Sequence, residues 1–531
     1  MEASSTGLLS HKQGVGRPGG TEGHHTFCQA ARGIFGLIML QRMNLARRKR
    51  RWVSCPAAPS GTRYKILNAR CSMALLRDEF ANAEAFLAAR PAVRVVDLLM
   101  PDLCGILRGK RVSVADLPGV YAHGMYLPAS MFALDVLGAT VQSTGLGFDE
   151  GDDDWPCLPI ARTLFPSPWL GPSVAQLQVQ MQDAAGEPFF GDPRHVLGRV
   201  LERYTARGWT PVVALELEFY FVDTERTADG HAQPPKSRLT GRREKRTQIN
   251  SMADLESVSD ILSEIATTCE EQDVPTGTAL AEYGPSQWEV NLRHVADARL
   301  ACDQAIRFKR IVKGVAHQRG FEATFMAKPY ADMAGSGMHM HASILDASGR
   351  NIFASEDVLG NDLLKQAAAG LLETMADGTA IFAPNANSYR RMRPETYVPM
   401  HATWGFNNRG AAVRIPVSGA VDRRLEHRVS GADANPYLVA AAVLAGMLHG
   451  IERKLAAPPA LEGNPFTQAL SSAPLPADWP TALTRFTESQ FLKDYFGKDF
   501  VQLYGLTRRG EMQDFNNQIP ALDYAWYLES V

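Results

Sequence analysis

Polar and apolar positions alternate most strictly along Val212-Val-Ala-Leu-Glu-Leu-Glu-Phe-Tyr-Phe221. A period of two predicts a β-strand, with Glu216 and Glu218 on one face and Leu215, Leu217 and Phe219 on the other. Shorter β-patterned runs at Val93–Leu99 and Arg111–Val114 flank turn signals at Pro101 and Gly105. The period changes at Asp192-Pro193-Arg194. Asp at the N-cap and Pro at the first helical position open a helix with Val196, Leu197, Val200, Leu201 and Tyr204 at helical spacing. Strand and helix patterns alternate from there to the C-terminus, so the main boundary falls just before this helix. A late helix begins at Asn435-Pro436 and runs from Tyr437 to Leu455.

Residues 1–72 differ from the rest. They are rich in Gly, Ser, His and Arg, with a basic run from Arg47 to Arg51, and carry roughly ten more basic than acidic residues, whereas the net charge of the whole chain is −2. Too little apolar surface is present there to offset chain entropy, which predicts disorder. The segment reads as sequence upstream of a start at Met73, where a helix pattern opens, with a basic targeting or interaction arm as the alternative. The acidic remainder gives no reason to expect a nucleic-acid partner. Seven cysteines, none in a CxxC pair, fit neither a disulfide framework nor a zinc cluster, and a reducing cytoplasm is the expected location. The longest apolar candidate, Ile34–Leu40, falls far short of the ~18 residues a membrane span needs, so no membrane partner is expected.

Four segments carry candidate chemistry. Glu216 and Glu218 repel one another unless a cation lies between them or they face water on an edge strand. In Glu282-Tyr-Gly-Pro-Ser-Gln-Trp-Glu289-Val-Asn291 a Gly-Pro turn separates two more carboxylates, and an ordinary polar loop and strand is the plainer alternative. A Gly335-Ser-Gly turn leads into a strand projecting His339, His341 and Ser343 from one face. Arg424, Glu426 and Arg428 share a strand face near Arg409 and Arg414, which suits phosphate and carboxylate contacts or a surface salt-bridge row. Hard oxygen ligands with an imidazole suit Mg²⁺ or Mn²⁺ better than zinc. Metal with arginines is the recurring equipment of phosphoryl transfer.

In order and spacing, these segments resemble class I glutamine synthetase from about residue 90 to 531. The carriers are Glu216-Leu-Glu218, Glu282 with Glu289, Phe325-Met-Ala-Lys-Pro followed by Gly335-Ser-Gly-Met-His-Met-His341, Asn387-Ser-Tyr-Arg-Arg391, Asn408-Arg409, Arg414-Ile-Pro416, Arg423-Arg-Leu-Glu-His-Arg428 and Asn435-Pro-Tyr-Leu438. The resemblance implies an α+β fold: a β-grasp domain over 73–190 and, over 191–531, a catalytic antiparallel β-sheet cup with surrounding helices. It implies two metal ions, Mg²⁺ or Mn²⁺, one held by Glu218, Glu282 and Glu289, the other by Glu216, His339 and Glu426. His341, Ser343 and Arg424 would face ATP, Arg391, Arg428 and Gly335 the glutamate, and Arg409 and Arg414 the phosphates in transfer. The implied reaction forms a γ-glutamyl phosphate that an amine then displaces. The implied assembly is a homo-oligomeric ring, usually a dodecamer, with active sites shared between subunits.

Two departures concern the amine. Ammonia-using members carry an Asp ahead of two serines where this chain reads Tyr126-Leu-Pro-Ala-Ser-Met131, and a flap glutamate where Tyr397 stands, with Glu395 two residues earlier. The Leu-Pro-Ala-Ser and Tyr-Val-Pro patterns are similar to the γ-glutamylpolyamine synthetase branch, in which the amine is putrescine or a longer polyamine. Asp152, Asp153 and Asp154 are candidates for a second ammonium of such a diamine, or else a solvated loop, and Glu395 is a candidate replacement for the flap acid. Ethanolamine or an aromatic amine, ammonia itself, and an inactive structural or regulatory role are the alternatives.

Overall fold

The computed structural model describes residues 79–148, 151–238, 240–243, 248–394, 396–467, 472 and 474–531. Contacts divide the chain into Met1–Cys71 and Ser72–Val531. The expectations for residues 1–72 and for the first turns after Met73 lie outside the described residues.

After a helix over 79–88, six strands form the first sheet: Val95–Pro101 (β1), Leu107–Ser113 (β2), Met125–Pro128 (β3), Asp154–Pro159 (β4), Phe165–Pro166 (β5) and Val174–Met181 (β6). Their order is β2-β1-β6-β4-β3, with β5 also on β6, and β1 and β6 run parallel. The two predicted N-terminal strands are present, each shifted by a few residues.

The helix Pro193–Thr205 begins as read, with the Asp192 side chain accepting from Arg194 N. Eight strands then form the second sheet: Thr210–Asp223 (β7), Thr276–Ala281 (β8), Gln287–Leu292 (β9), Phe321–Thr324 (β10), Met338–Leu345 (β11), Trp404–Phe406 (β12), Val413–Ile415 (β13) and Leu425–His427 (β14). The order is β12-β13-β14-β11-β7-β9-β8, with β10 on β7.

β7 is central, so the carboxylate pair does not lie on an edge strand. Its apolar face packs inward, with Phe219 against Phe308 of the helix Ala298–Gln318 at 6.1 Å between ring centroids. Helices Asp362–Phe382 and Pro436–Arg453 continue the same hydrophobic core. Asn435 caps the latter as predicted, its side chain accepting from Tyr437 N.

The expected antiparallel cup is present, and within it only β12 and β13 pair in parallel among the described residues. Parallel neighbours usually need a long crossover, but strands of three residues span only about 7–10 Å, which the short loop through Arg409 can retrace. That loop places Arg409 beside the site.

The two sheets meet through polar contacts. Arg310 donates to Asp97 at 2.9 Å, Arg194 pairs with Asp303 at 2.9 Å and reaches Gln180, and Asn435 Nδ2 donates to Asp102 O at 2.9 Å.

Candidate functional site

Strand register assembles the site. On β11, His339 lies opposite Glu216 of β7, and His341 lies opposite Glu426 of β14. On β9, Glu289 lies opposite Glu218. Period two keeps these side chains on one face of the sheet. Ligand atoms of Glu218, Glu282 and Glu289 lie within 4.8 Å of one another, and so do those of Glu216, His341 and Glu426.

The first cluster is carboxylate on carboxylate. Like charges directly across a strand pair destabilise it. Burial, followed by repulsion from Glu216, Glu218 and Glu282, pushes Glu289 up to about 9. Burial and the Glu218 charge push Glu282 up to about 7. Few neighbours compensate: Gly337 N donates to Glu218 Oε2 at 2.8 Å, and Asn291 Nδ2 to Glu289 Oε1 at 3.0 Å. Three converging carboxylates with this mutual repulsion fit a hard divalent cation.

The second cluster already contains cations. Burial works to raise Glu216, but His339 and His341 outweigh it and hold the carboxyl far below the usual carboxylate range. Glu426 has no solvent exposure; burial opposes its charge, yet Arg428 and the two histidines bring it down to about 2. Arg414 donates to its Oε2 at 2.7 Å and Arg428 to its Oε1. The predicted strand face is therefore a buried ion-pair network, not a surface row. Asn407 Oδ1 holds the other side of Arg414 at 2.9 Å.

The two histidines use their nitrogens differently. Arg424 Nε lies 3.2 Å from His341 Nδ1, and an arginine can only donate, so Nδ1 accepts. The proton then sits on His341 Nε2 and is donated to Glu216 Oε1 at 2.8 Å. His339 Nδ1 stands between two carboxylates, 3.4 Å from Glu216 Oε2 and 3.9 Å from Glu426 Oε1.

Beside these clusters, the short helix Ser388–Arg391 turns Arg391 inward, where it is buried and donates to Val429 O at 2.8 Å. Gly335 lies against that side chain; a Cβ there would meet Arg391 Cγ at 2.7 Å and Ala327 O at 2.6 Å. Arg428 Nε donates to Arg409 O at 3.2 Å, while the Arg409 side chain is exposed. Ser343 sits on β11 opposite Val212, half-buried.

Not every candidate joins this site. Asp152, Asp153 and Asp154 are exposed at the start of β4 in the first sheet, and no described hydrogen bond or ion pair ties them to the second. Glu395 lies outside the described residues.

Several contacts that support the site carry no sequence signal. Asp433 is half-buried and accepts from Ser388 Oγ at 2.7 Å and Asn385 Nδ2 at 2.8 Å, fixing the Arg391 helix. Asn387 clamps Lys328 through its backbone N and O, both at 2.9 Å. Tyr283 stacks on Tyr397. Each of these contacts is non-local, and no spacing along the chain announces it.

Among the described residues no helix is long and apolar enough to cross a membrane.

A model of the catalytic domain of glutamine synthetase matches residues 190–527. The chain is 40% identical over 445 residues to γ-glutamylputrescine synthetase PuuA of Escherichia coli K12, covering 84% of this chain and 94% of that protein. It is 32% identical to a glutamate–isopropylamine ligase of a Pseudomonas species, over 81% of this chain and 94% of the relative. It is also 32% identical to the γ-glutamylethanolamide synthetase GlnA4 of Streptomyces coelicolor, over 81% and 91%. A solved complex of GmaS with ADP superposes with a TM-score of 0.72 at 26% identity, covering 84% of this chain and 98% of that one.

Proposed function

The chain belongs to the glutamine synthetase family, and from that premise we propose that it joins the γ-carboxylate of L-glutamate to putrescine or another polyamine with ATP. It is a glutamate–amine ligase, and its family uses ATP and divalent metal ions. The observation that carries the reading is the pair of neighbouring clusters on one face of one sheet, one acidic and the other threaded by arginines. The polyamine assignment rests on likeness to the putrescine enzyme and on Tyr397 standing where a flap acid was expected.

Two metal sites fit the donors. Glu218, Glu282 and Glu289 would hold one ion. Glu216 and Glu426 would hold the other with His339, because His341 donates its Nε2–H to Glu216 and accepts from Arg424 at Nδ1, which leaves it no free lone pair. Such ions supply charge neutralisation between phosphate oxygens. His341 and Arg424, already hydrogen-bonded to each other, would face the nucleotide together with Ser343.

The chemistry asked of the chain is then mostly positioning. Arg391 and Arg428 would hold the glutamate carboxylates, helped by the Gly335 backbone. Arg409 and Arg414 would gather the charge that builds on the transferred phosphoryl group. The glutamate γ-oxygen attacks the terminal phosphorus, ADP leaves, and a γ-glutamyl phosphate remains. The amine nitrogen then attacks the acyl carbon, phosphate leaves with the bonding pair, and the amine loses a proton. A cytoplasmic homo-oligomer with sites shared between subunits, and a β-grasp domain ending near residue 190, complete the proposal.

The test is phosphate release by the purified protein with ATP, Mg²⁺ and glutamate, with one amine per well. Putrescine or spermidine should raise the rate strongly and ammonium hardly at all. Preference for ammonium would make the protein a glutamine synthetase with a rebuilt ammonia site, and preference for ethanolamine or an aromatic amine would move it to another branch.

A further inference from the structure

Tyr283 follows Glu282 in the loop between β8 and β9, and Tyr397 belongs to the segment between the Arg391 helix and β12. Their rings stack at 5.9 Å between centroids with 25° between planes. Both remain open to solvent, Tyr283 at 39% and Tyr397 at 57% exposure. Tyr397 holds φ at +56°, a left-handed conformation that L residues other than Asn and Asp rarely adopt. Strained backbone of this kind clusters at ligand clamps.

The pair borders the site on its acidic side. Tyr283 N donates to Glu282 Oε2 at 3.2 Å, and the charges facing the Tyr283 ring are those of Glu282 and Arg409. One ring is thus tied to a metal-ligand loop, and the other to the segment that leaves the glutamate-binding helix.

We propose that stacked Tyr283 and Tyr397 form the wall on which the carbon chain of the amine lies, and that this wall makes the enzyme prefer alkyl amines to ammonium. The inference rests on the ligase reading above and adds the residues that select the amine. An aromatic face gains by covering methylene groups, and ammonium has none to offer. The same face attracts a cationic end through its quadrupole, which suits the distal ammonium of a diamine. The two rings are stacked and face water beside a carboxylate cluster that draws in cations.

The experiment compares the full-length wild type with Tyr397→Phe, Tyr397→Leu, Tyr397→Ala and Tyr283→Ala. Initial rates of ADP formation are measured against ammonium, a series of n-alkylamines and a series of α,ω-diamines. In parallel, γ-glutamyl hydroxamate formation from glutamate, ATP and hydroxylamine reports the acyl phosphate without any alkyl chain. Tyr397→Phe keeps the ring face and should keep the dependence on chain length. Tyr397→Ala and Tyr283→Ala should raise KM for the preferred amine tenfold or more, keep KM for glutamate and ATP within twofold, and flatten the dependence on chain length. Tyr397→Leu should fall between them and guards against misfolding of the alanine variants. Unchanged amine KM and chain-length dependence, with hydroxamate formation intact, would overturn the wall while leaving the ligase reading in place. An equal loss for ammonium and alkyl amines would also overturn it. A wild type that forms neither hydroxamate nor amine-dependent ADP would remove the ligase reading and the wall together.

Discussion

Arg414 donates to Glu426 Oε2 at 2.7 Å inside a carboxyl group that has no solvent exposure. Arg428 occupies the other oxygen, so one buried anion balances two cations. Removing the anion leaves both guanidiniums uncompensated in low dielectric, which typically costs about 3–5 kcal/mol. Glu426→Leu should therefore lower the urea midpoint markedly, and Glu426→Gln, which keeps hydrogen-bond acceptance on one oxygen, should lower it less. Both should abolish ligase turnover. Chemical denaturation followed by circular dichroism checks the order; a Leu variant as stable as wild type would mean the network adds nothing to folding.

The facing pair Glu218 and Glu289 predicts the opposite sign for a different carboxylate. Without metal, repulsion and burial push Glu289 up to about 9, so the full crowding of charge is felt only as pH climbs through that value, where a neutral amide should relieve it. Glu289→Gln should raise the melting temperature in EDTA at alkaline pH and change it little at neutral pH. In wild type, Mg²⁺ should raise the melting temperature by ligand linkage. In the variant that increment should shrink, with Mg²⁺ affinity weakened by roughly tenfold or more through loss of a charged ligand. Isothermal titration and thermal melts with and without Mg²⁺ read both effects, and a metal-free variant less stable than wild type at alkaline pH would contradict the repulsion argument.

Local rules made much of this legible. The Glu216–Glu218 face followed from period two, and the caps at Asp192 and Asn435 followed from side chains that reach backbone within the first turn. What pairs with β7 did not follow, because register is a contact between distant segments; an edge strand and a central one have the same alternation. Burial of Glu426 was equally hidden, since Arg424, Glu426 and Arg428 read alike on a surface and in a network. Asp433 supports the Arg391 helix through side-chain contacts alone. The parallel pairing of β12 and β13 inside the antiparallel sheet carried no signal, because strands of three residues escape the crossover rule from which sheet direction is usually argued. Family resemblance supplied glutamate and the amine, which no residue spacing could.

Lys309 gives a pH dependence separate from the carboxylate clusters. Its ammonium donates to Ala432 O at 2.6 Å and Ala434 O at 3.1 Å. Burial, then the neighbouring charge of Lys313, lowers it from 10.5 to about 7, opposed by Asp433. Between pH 7 and the unfolded value near 10.4, the unfolded chain holds a proton that the native one has released. More protons bound in the unfolded state means stability rises with pH, so this lysine costs stability below about pH 7 and stops costing it as pH climbs. The difference in stability between wild type and Lys309→Met should shrink or change sign in favour of wild type from pH 7 to pH 10. Denaturant midpoints at four pH values would show it, and a pH-independent difference would place the pKa near its ordinary value.

Arg391 and Gly335 make a paired prediction about glutamate. The guanidinium is buried, spends one N–H on Val429 O, and has Gly335 packed against its methylenes. Lysine at this position carries charge but cannot present two parallel donors to a carboxylate. Losing one charged hydrogen bond of about 1.5–3 kcal/mol should raise KM for glutamate about 10- to 100-fold in Arg391→Lys. Gly335→Ala reaches the same end by another route, because its Cβ would meet Arg391 Cγ at 2.7 Å and Ala327 O at 2.6 Å, and the arginine must move. Both variants should leave KM for ATP close to wild type, since His341 lies on β11 and Arg424 just ahead of β14, away from the Arg391 helix. Separate saturation curves for glutamate and ATP decide the matter: a joint rise would indicate general disturbance of the sheet, whereas a rise confined to glutamate would tie this arginine to the substrate carboxylate.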